Sequence, residues 1–191
     1  MIGMSPTSIR KCCAIGLAIV VLLLEPAARA VATAADGYIA DALVLRETYA
    51  ALHPGLLRYQ TQAQLDASYA HLVNELARAG SRREAFLAFT EYTASVRCGH
   101  SYPSFYNQTD AIASELFAGR DRLPFGFRWI DGRMIVTEDF ATGGTLRPGD
   151  EVLAIDGTPA RSILARLLPY TRADGANDAK RIDQLQVRGA K

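Results

Sequence analysis

Three histidines, a mid-chain cysteine and the serines beside it are the side chains here whose types could do chemistry. His100 sits within Cys98-Gly99-His100-Ser101, with Ser95 shortly before it. An imidazole titrates near neutrality, so it can take a proton from a hydroxyl or thiol and return it to a leaving group. Ser95 and Ser101 are close in sequence, but the members of a triad converge from separate elements, so neither is a favoured nucleophile. Cys98 and His100 lie two residues apart, poor geometry for a thiol–imidazole pair, and no third orienting group is evident; a buried structural thiol is expected. His100 keeps two readings at this level: a general base, or a residue that caps the preceding helix or hydrogen-bonds across the loop. His53 precedes Pro54-Gly55 in a turn, and His71 lies between Tyr69 and Leu72. Histidine spacings of 18 and 29 residues, with no Cys, Asp or Glu pairing, make no metal signature, so neither metal nor cofactor is expected. Asn107-Gln108-Thr109 matches a glycosylation sequon, a three-position pattern too common to weigh.

Two kinds of element must position these residues. Residues 36–118 read as helical. Asp36 is the expected N-cap of a first helix carrying Tyr38, Ala42, Leu45, Tyr49 and Leu52 at three- and four-residue steps. His53-Pro54-Gly55 stops it, because the residue before proline is pushed out of the helical region. Thr61 and Gln64 form a capping box for a second helix with Leu65, Tyr69, Leu72 and Leu76 on one face. Ser81 and Glu84 open a third, lined by Phe86, Phe89, Thr93 and Val96, and a fourth runs from about Asp110 to Ala118. The period then changes. Phe125–Ile130 and Arg133–Val136 flank Asp131-Gly132, a strong hairpin signal. Arg147-Pro148-Gly149-Asp150 is a tight turn, Glu151–Ile155 alternates as one half-buried strand, Asp156-Gly157 turns again, and Ser162–Tyr170 is a short amphipathic helix. Thr171 to Lys191 is polar and reads as a connector without a closing element. The fold class is therefore α+β, a helical bundle followed by a small β-domain with one helix.

Arg10-Lys11, the apolar run Cys12 to Leu24 and Ala28-Arg29-Ala30 have the layout of a secretory signal, with the cut after Ala30 and Ala32-Thr33-Ala34 as a second possibility. The run falls short of the ~20 apolar residues that cross a bilayer, although an uncleaved anchor is the competing reading. Export to the periplasm or outside the cell follows, with no stable membrane anchor after cleavage. Removing residues 1–30 takes away Arg10, Lys11, Arg29 and Glu25, which turns a net charge of +1 into −1. With no Lys/Arg cluster, that balance gives no drive toward nucleic acid. Cys98 becomes the single cysteine, so no internal disulfide framework is expected. The remaining chain is long enough to bury roughly 70% of its unfolded surface without one.

Leu146-Arg147-Pro148-Gly149-Asp150-Glu151-Val152-Leu153-Ala154-Ile155-Asp156-Gly157-Thr158-Pro159 resembles the central signature of bacterial PDZ-like domains. His53-Pro54-Gly55-Leu56, Cys98-Gly99-His100-Ser101, Leu123-Pro124-Phe125, that signature and Asp174-Gly175 occur in one order. The order resembles the tail-specific, or C-terminal-processing, serine peptidases, most closely the branch with the tricorn core and the interphotoreceptor retinoid-binding repeats. The resemblance spans about residues 36–190. With the signal at 1–30, it implies a helical domain at 31–118, a PDZ-like domain at 119–172 and a connector at 173–191 toward a larger α/β domain bearing the nucleophilic serine. It also implies that His100 is the general base for that serine. No Gly-x-Ser-x-Gly elbow occurs in the chain.

For the PDZ-like part, Phe125-Gly126-Phe127 has two readings. It is a loop whose N–H groups hold a peptide's terminal carboxylate, the peptide adding as a strand, or a core strand with a glycine bulge. The expected partner is a polypeptide substrate or a C-terminal peptide. The leading functional reading is the N-terminal portion of an exported serine peptidase, inactive by itself. A stand-alone module that binds polypeptide ends is the alternative, and a relative that binds small apolar ligands or a partner protein is a third.

Overall fold

Thr33, not Asp36, caps the first helix. In the computed structural model, which describes residues 33–117 and 122–187, helix α1 covers Ala34–Leu52 and begins with a full capping box. The Thr33 hydroxyl accepts from the Asp36 N–H, and the Asp36 carboxylate takes the Thr33 N–H at 2.8 Å. Asp36 is thus the third helical residue, a position where a carboxylate also answers the helix dipole. The expected signal and the boundary at residues 118 and 119 lie outside the described residues. The fold is α+β.

Helix α2 (Gln62–Arg78) starts with the Thr61–Gln64 box, both halves formed. At α3 (Arg82–Ser95) only one half forms. The Ser81 hydroxyl accepts from the Glu84 N–H, while the Glu84 carboxylate reaches back to the Gly80 N–H at 2.7 Å. Helix α4 spans Asp110–Phe117. The bundle core is Ala42, Leu65, Leu72, Leu76, Ala85, Ala88 and Tyr92, flanked by Tyr38, Leu45, Tyr49, Tyr69 and Phe89. Two expected stripes need correction. Leu52 is 76% exposed, because α1 runs out past the bundle there. On α3 the expected Thr93 and Val96 are buried and Phe89 packs on the core, but the innermost face also takes Ala85, Ala88 and Tyr92, and Phe86 turns instead onto Phe117 of α4, ring to ring at 5.9 Å.

The hairpin β1 (Phe125–Ile130) and β2 (Arg133–Asp139) is antiparallel, closed by Asp131 and Gly132 at φ 50° and 74°, as a two-residue turn with right-handed strand twist requires. The register shifts between Gly126 and Phe127, leaving Thr137 as the extra residue of a bulge on β2. The stretch expected as one strand over Glu151–Ile155 is two. β3 (Glu151–Val152) continues the first sheet beside β2, and β4 (Ala154–Ile155) pairs with β5 (Thr158–Pro159) across the Asp156-Gly157 turn. Leu153, between them, is 75% exposed. Helix α5 (Ala160–Leu167) and the 3-10 turn Leu168–Tyr170 follow. Phe125, Phe127, Trp129, Met134, Val136, Ala160 and Leu164 form a second core.

The polar C-terminal stretch is not an open connector within the described residues. Asn177 caps helix α6 (Asp178–Asp183) by accepting from the Lys180 N–H. Arg181 then clamps the helix to the end of α5, donating from Nε to Thr171 O at 3.3 Å and from a terminal nitrogen to Leu168 O at 2.7 Å. Beyond it, Trp129 Nε1 donates to Leu185 O, and Val187 pairs with Phe127 along the free edge of β1. Composition hid this closure because its bonds go to backbone carbonyls, which polar side chains seek without leaving a hydrophobic pattern. No helix among the described residues is long and apolar enough to cross a membrane.

Candidate functional site

Three loops meet where the bundle joins the rest of the fold: His53–Gln60 after α1, Val96–Ser101 after α3, and 171–177 before α6. Two hydrogen bonds knit the second to the third. The Gly175 N–H donates to Arg97 O at 3.0 Å, and the Gly99 N–H donates to Asp174 Oδ1 at 2.9 Å. The first bond holds Arg97 at φ 56°, a left-handed conformation that an arginine rarely adopts and that turns the chain sharply before Cys98. Gly175 is itself left-handed at φ 60°, and a Cβ there would lie 3.0 Å from the Tyr59 ring. His53, Arg58, Tyr59, Arg97, Cys98 and Asp174 line a cleft of about 220 Å³ at this junction.

The closure brings one ligand-type atom each from Cys98, His100 and Asp174 within 4.8 Å of one another. His100 and Asp174 are exposed, and Cys98 is half-buried. The Asp174 carboxyl is held below the usual carboxylate range, first by the Gly99 N–H; burial opposes this, while the nearby Lys180, His100 and Arg58 side chains reinforce it. Sequence reasoning found no acidic or thiol partner for a histidine and no third group for Cys98. The fold supplies Asp174 from 75 residues away. Only the Asp174-Gly175 dipeptide marked that position, and it reads locally as a turn.

His53 plays a different part. Its Nδ1 accepts the Gly55 N–H at 3.2 Å, so the neutral ring carries its hydrogen on Nε2. That nitrogen lies 3.3 Å from the Ser101 hydroxyl and donates to it. A base that would remove the Ser101 proton needs the reverse polarity, so this pair is built to hold the loop rather than to activate a nucleophile. Ser101 is buried and also hydrogen-bonds Tyr49, whose phenol burial pushes up and Ser101 draws back down. Ser95 donates to the Tyr92 carbonyl at 2.7 Å, a local helical bond. His71 faces Glu91 across α2 and α3 at 3.5 Å.

Phe125, Gly126 and Phe127 are all buried. The Phe127 N–H donates to Val187 O at 3.0 Å, so the chain's own segment occupies that stretch of the β1 edge. A peptide adding there would have to displace Leu185–Val187. Another cleft, of about 300 Å³, is lined by Phe86, Tyr102, Phe105, Tyr106 and Phe117, with the Arg172 guanidinium 3.1 Å over the Tyr102 ring. Comparison with protein-family models, with curated proteins and with solved structures finds no match to this chain.

Proposed function

We propose that this chain is the N-terminal portion of an exported serine-type peptidase of the tail-specific kind, with His100 as general base for a serine lying outside the sequence given. One observation carries the reading. Cys98-Gly99-His100 and Asp174-Gly175, two of the segments on which the resemblance rests, meet through the Gly99–Asp174 hydrogen bond and bring a carboxylate beside an exposed imidazole. The carboxylate lies within 4.8 Å, near enough to hydrogen-bond and orient the imidazole once the two exposed side chains turn toward each other, and the exposed ring is open to a hydroxyl arriving from another element. The PDZ-like part would take the end of the polypeptide substrate.

The test begins with the intact mass of the mature protein from its native source. A mass well above that of residues 31–191 is expected, and His100→Ala in that longer protein should lower kcat by about 10²–10⁴, the usual worth of a general base. Full activity in His100→Ala, or peptide hydrolysis by residues 31–191 alone, overturns the reading.

A second reading is a binding module for polypeptide ends without catalysis, in which an incoming peptide displaces Val187 from Phe127 and takes its place, since the Val187 pairing shows that the β1 edge accepts an extended segment. It predicts that C-terminal peptides bind and that Gly126→Val weakens them. Equal affinity for both proteins excludes the Phe125-Gly126-Phe127 loop as the carboxylate site.

A further inference from the structure

We propose that Cys98, His100 and Asp174 bind a single borderline divalent cation, of which Zn²⁺ is the redox-inert physiological example. The three offer a thiolate sulfur, an imidazole nitrogen and a carboxylate oxygen, a donor set suited to zinc and unlike the all-oxygen shells of calcium or magnesium. Bond lengths of about 2.3 Å to sulfur and 2.0–2.2 Å to nitrogen and oxygen place tetrahedral ligands about 3.4–3.6 Å apart. The donor atoms lie within 4.8 Å of one another, so closing on an ion requires a movement of about 1 Å by these standards. His100 and Asp174 are exposed and have the rotamer freedom to make it.

The backbone pre-positions the set. The Gly99 N–H fixes Asp174 Oδ1, the outer hydrogen bond that commonly orients a ligating carboxylate, and Oδ2 remains for the ion. Gly99 has no side chain where a Cβ would come within 3.0 Å of Oδ2. The Gly175–Arg97 bond holds the Cys98 and Asp174 segments in register. A simple N–H acceptor role for Asp174 uses one oxygen and leaves the convergence of thiol and imidazole unexplained.

On binding, the thiol proton passes to solvent, and thiolate plus carboxylate balance the two positive charges of the ion. Arg58 and Lys180, which act on Asp174, oppose the ion and make the site weaker than a four-ligand structural zinc centre. With three protein ligands a fourth position stays open to water. An ion here occupies the His100 lone pair, so metal loading and use of His100 as a base exclude each other. The site itself does not depend on the peptidase reading.

The probe is Co²⁺ titrated into the full reduced chain, followed by absorbance. One equivalent should produce a thiolate-to-cobalt charge-transfer band with four-coordinate d–d bands, and Zn²⁺ should displace it. The band should vanish in Cys98→Ser and persist in a Cys12→Ser/Cys13→Ser protein. Asp174→Asn, which keeps an oxygen for the Gly99 N–H, should weaken binding about 10–100-fold. Far-UV circular dichroism and thermal melting of each variant show whether it remains folded, and Asp174→Asn decides if Cys98→Ser does not. Cobalt bound without a sulfur band, a band that survives Cys98→Ser, or unchanged affinity in Asp174→Asn overturns the proposal. Cys98→Ser probes the metal site alone, so its outcome is separable from the His100→Ala test of the peptidase reading.

Discussion

A single methyl group at Gly126 tests how the edge of β1 is closed. A Cβ there would lie 2.9 Å from Thr137 Oγ1, 3.1 Å from Val187 O and 3.3 Å from Phe140 Cζ. The Thr137 hydroxyl is on an exposed side chain and can turn away, but Val187 O is backbone and yields only if its segment shifts. Gly126 is not among the glycines at positive φ, and alanine carries no conformational penalty there. Restricting the unfolded chain would alone stabilise by about 0.4–1 kcal/mol. Against that, overpacking a filled site costs about 1–3 kcal/mol. If Val187 is pushed off, the Phe127–Val187 hydrogen bond removes about 0.5–1.5 kcal/mol more. Taken together these give Gly126→Ala a net loss of about 2 kcal/mol. Urea unfolding followed by Trp129 fluorescence reads this as a lower midpoint at unchanged slope, and amide exchange at Phe127 should accelerate in the native state. An unchanged or raised midpoint with Phe127 still protected would refute both the packing and the closure of the edge by Val187.

Tyr92→Phe should act in the opposite direction. The Tyr92 hydroxyl is buried without a hydrogen-bond partner among the described residues, so its removal should stabilise by about 1 kcal/mol in urea unfolding, and a loss of that size would show that the hydroxyl is satisfied. Burial, aided by Tyr49, pushes the Tyr92 phenol up to about 12. The folded state then holds its proton more tightly than the unfolded state, so its contribution is present below pH 10 and is lost as pH rises toward 12. Alkaline destabilisation should be shallower in Tyr92→Phe by at most about 3 kcal/mol. At the acid end, the Thr33 backbone and side-chain hydrogen bonds hold the Asp36 carboxyl below its usual range. Its contribution is present above the unfolded carboxylate value and fades as pH falls through the lowered one, so the protection factor of the Gly37 amide, corrected for the intrinsic pH dependence of exchange, should fall in acid, and Asp36→Asn should flatten that dependence. Arg181→Met should release α6 from the carbonyls of Leu168 and Thr171; detachment of Leu185 would red-shift Trp129 emission, and an unshifted spectrum would mean the tail is held without the clamp.

The elements whose signals are local were legible in the sequence: the Thr61–Gln64 box, the Asp131-Gly132 and Asp156-Gly157 turns, and the Leu65-Tyr69-Leu72-Leu76 stripe. Where the fold departs from the local pattern, each departure has its own physical reason. Thr33 lies three residues before the position chosen for a cap, and a carboxylate at either place suits a helix start. On α3 the expected Phe89, Thr93 and Val96 do face the interior, but Ala85 and Ala88 carry too little apolar surface to stand out as core positions, and Phe86 turns to α4. Polar composition made the tail look open, because clamps such as Arg181 bond to carbonyls. His100 was identified through the resemblance and Asp174 only as part of a turn. Their meeting depends on Arg97 O and the Gly175 N–H, and no periodicity records a bond between residues so far apart.

The Gly99–Asp174 bond spans 75 residues of chain, and both sheets and α5 lie inside that span. Bringing its ends together in a flexible chain costs about 4 kcal/mol of closure entropy, several times what one such bond returns. The bond is therefore favourable only where the intervening sheet and helix already hold its ends close. The grouping of Cys98, His100 and Asp174 thus draws its stability from the sheet and helix between them, and a chain in which those elements are unformed carries the three side chains far apart.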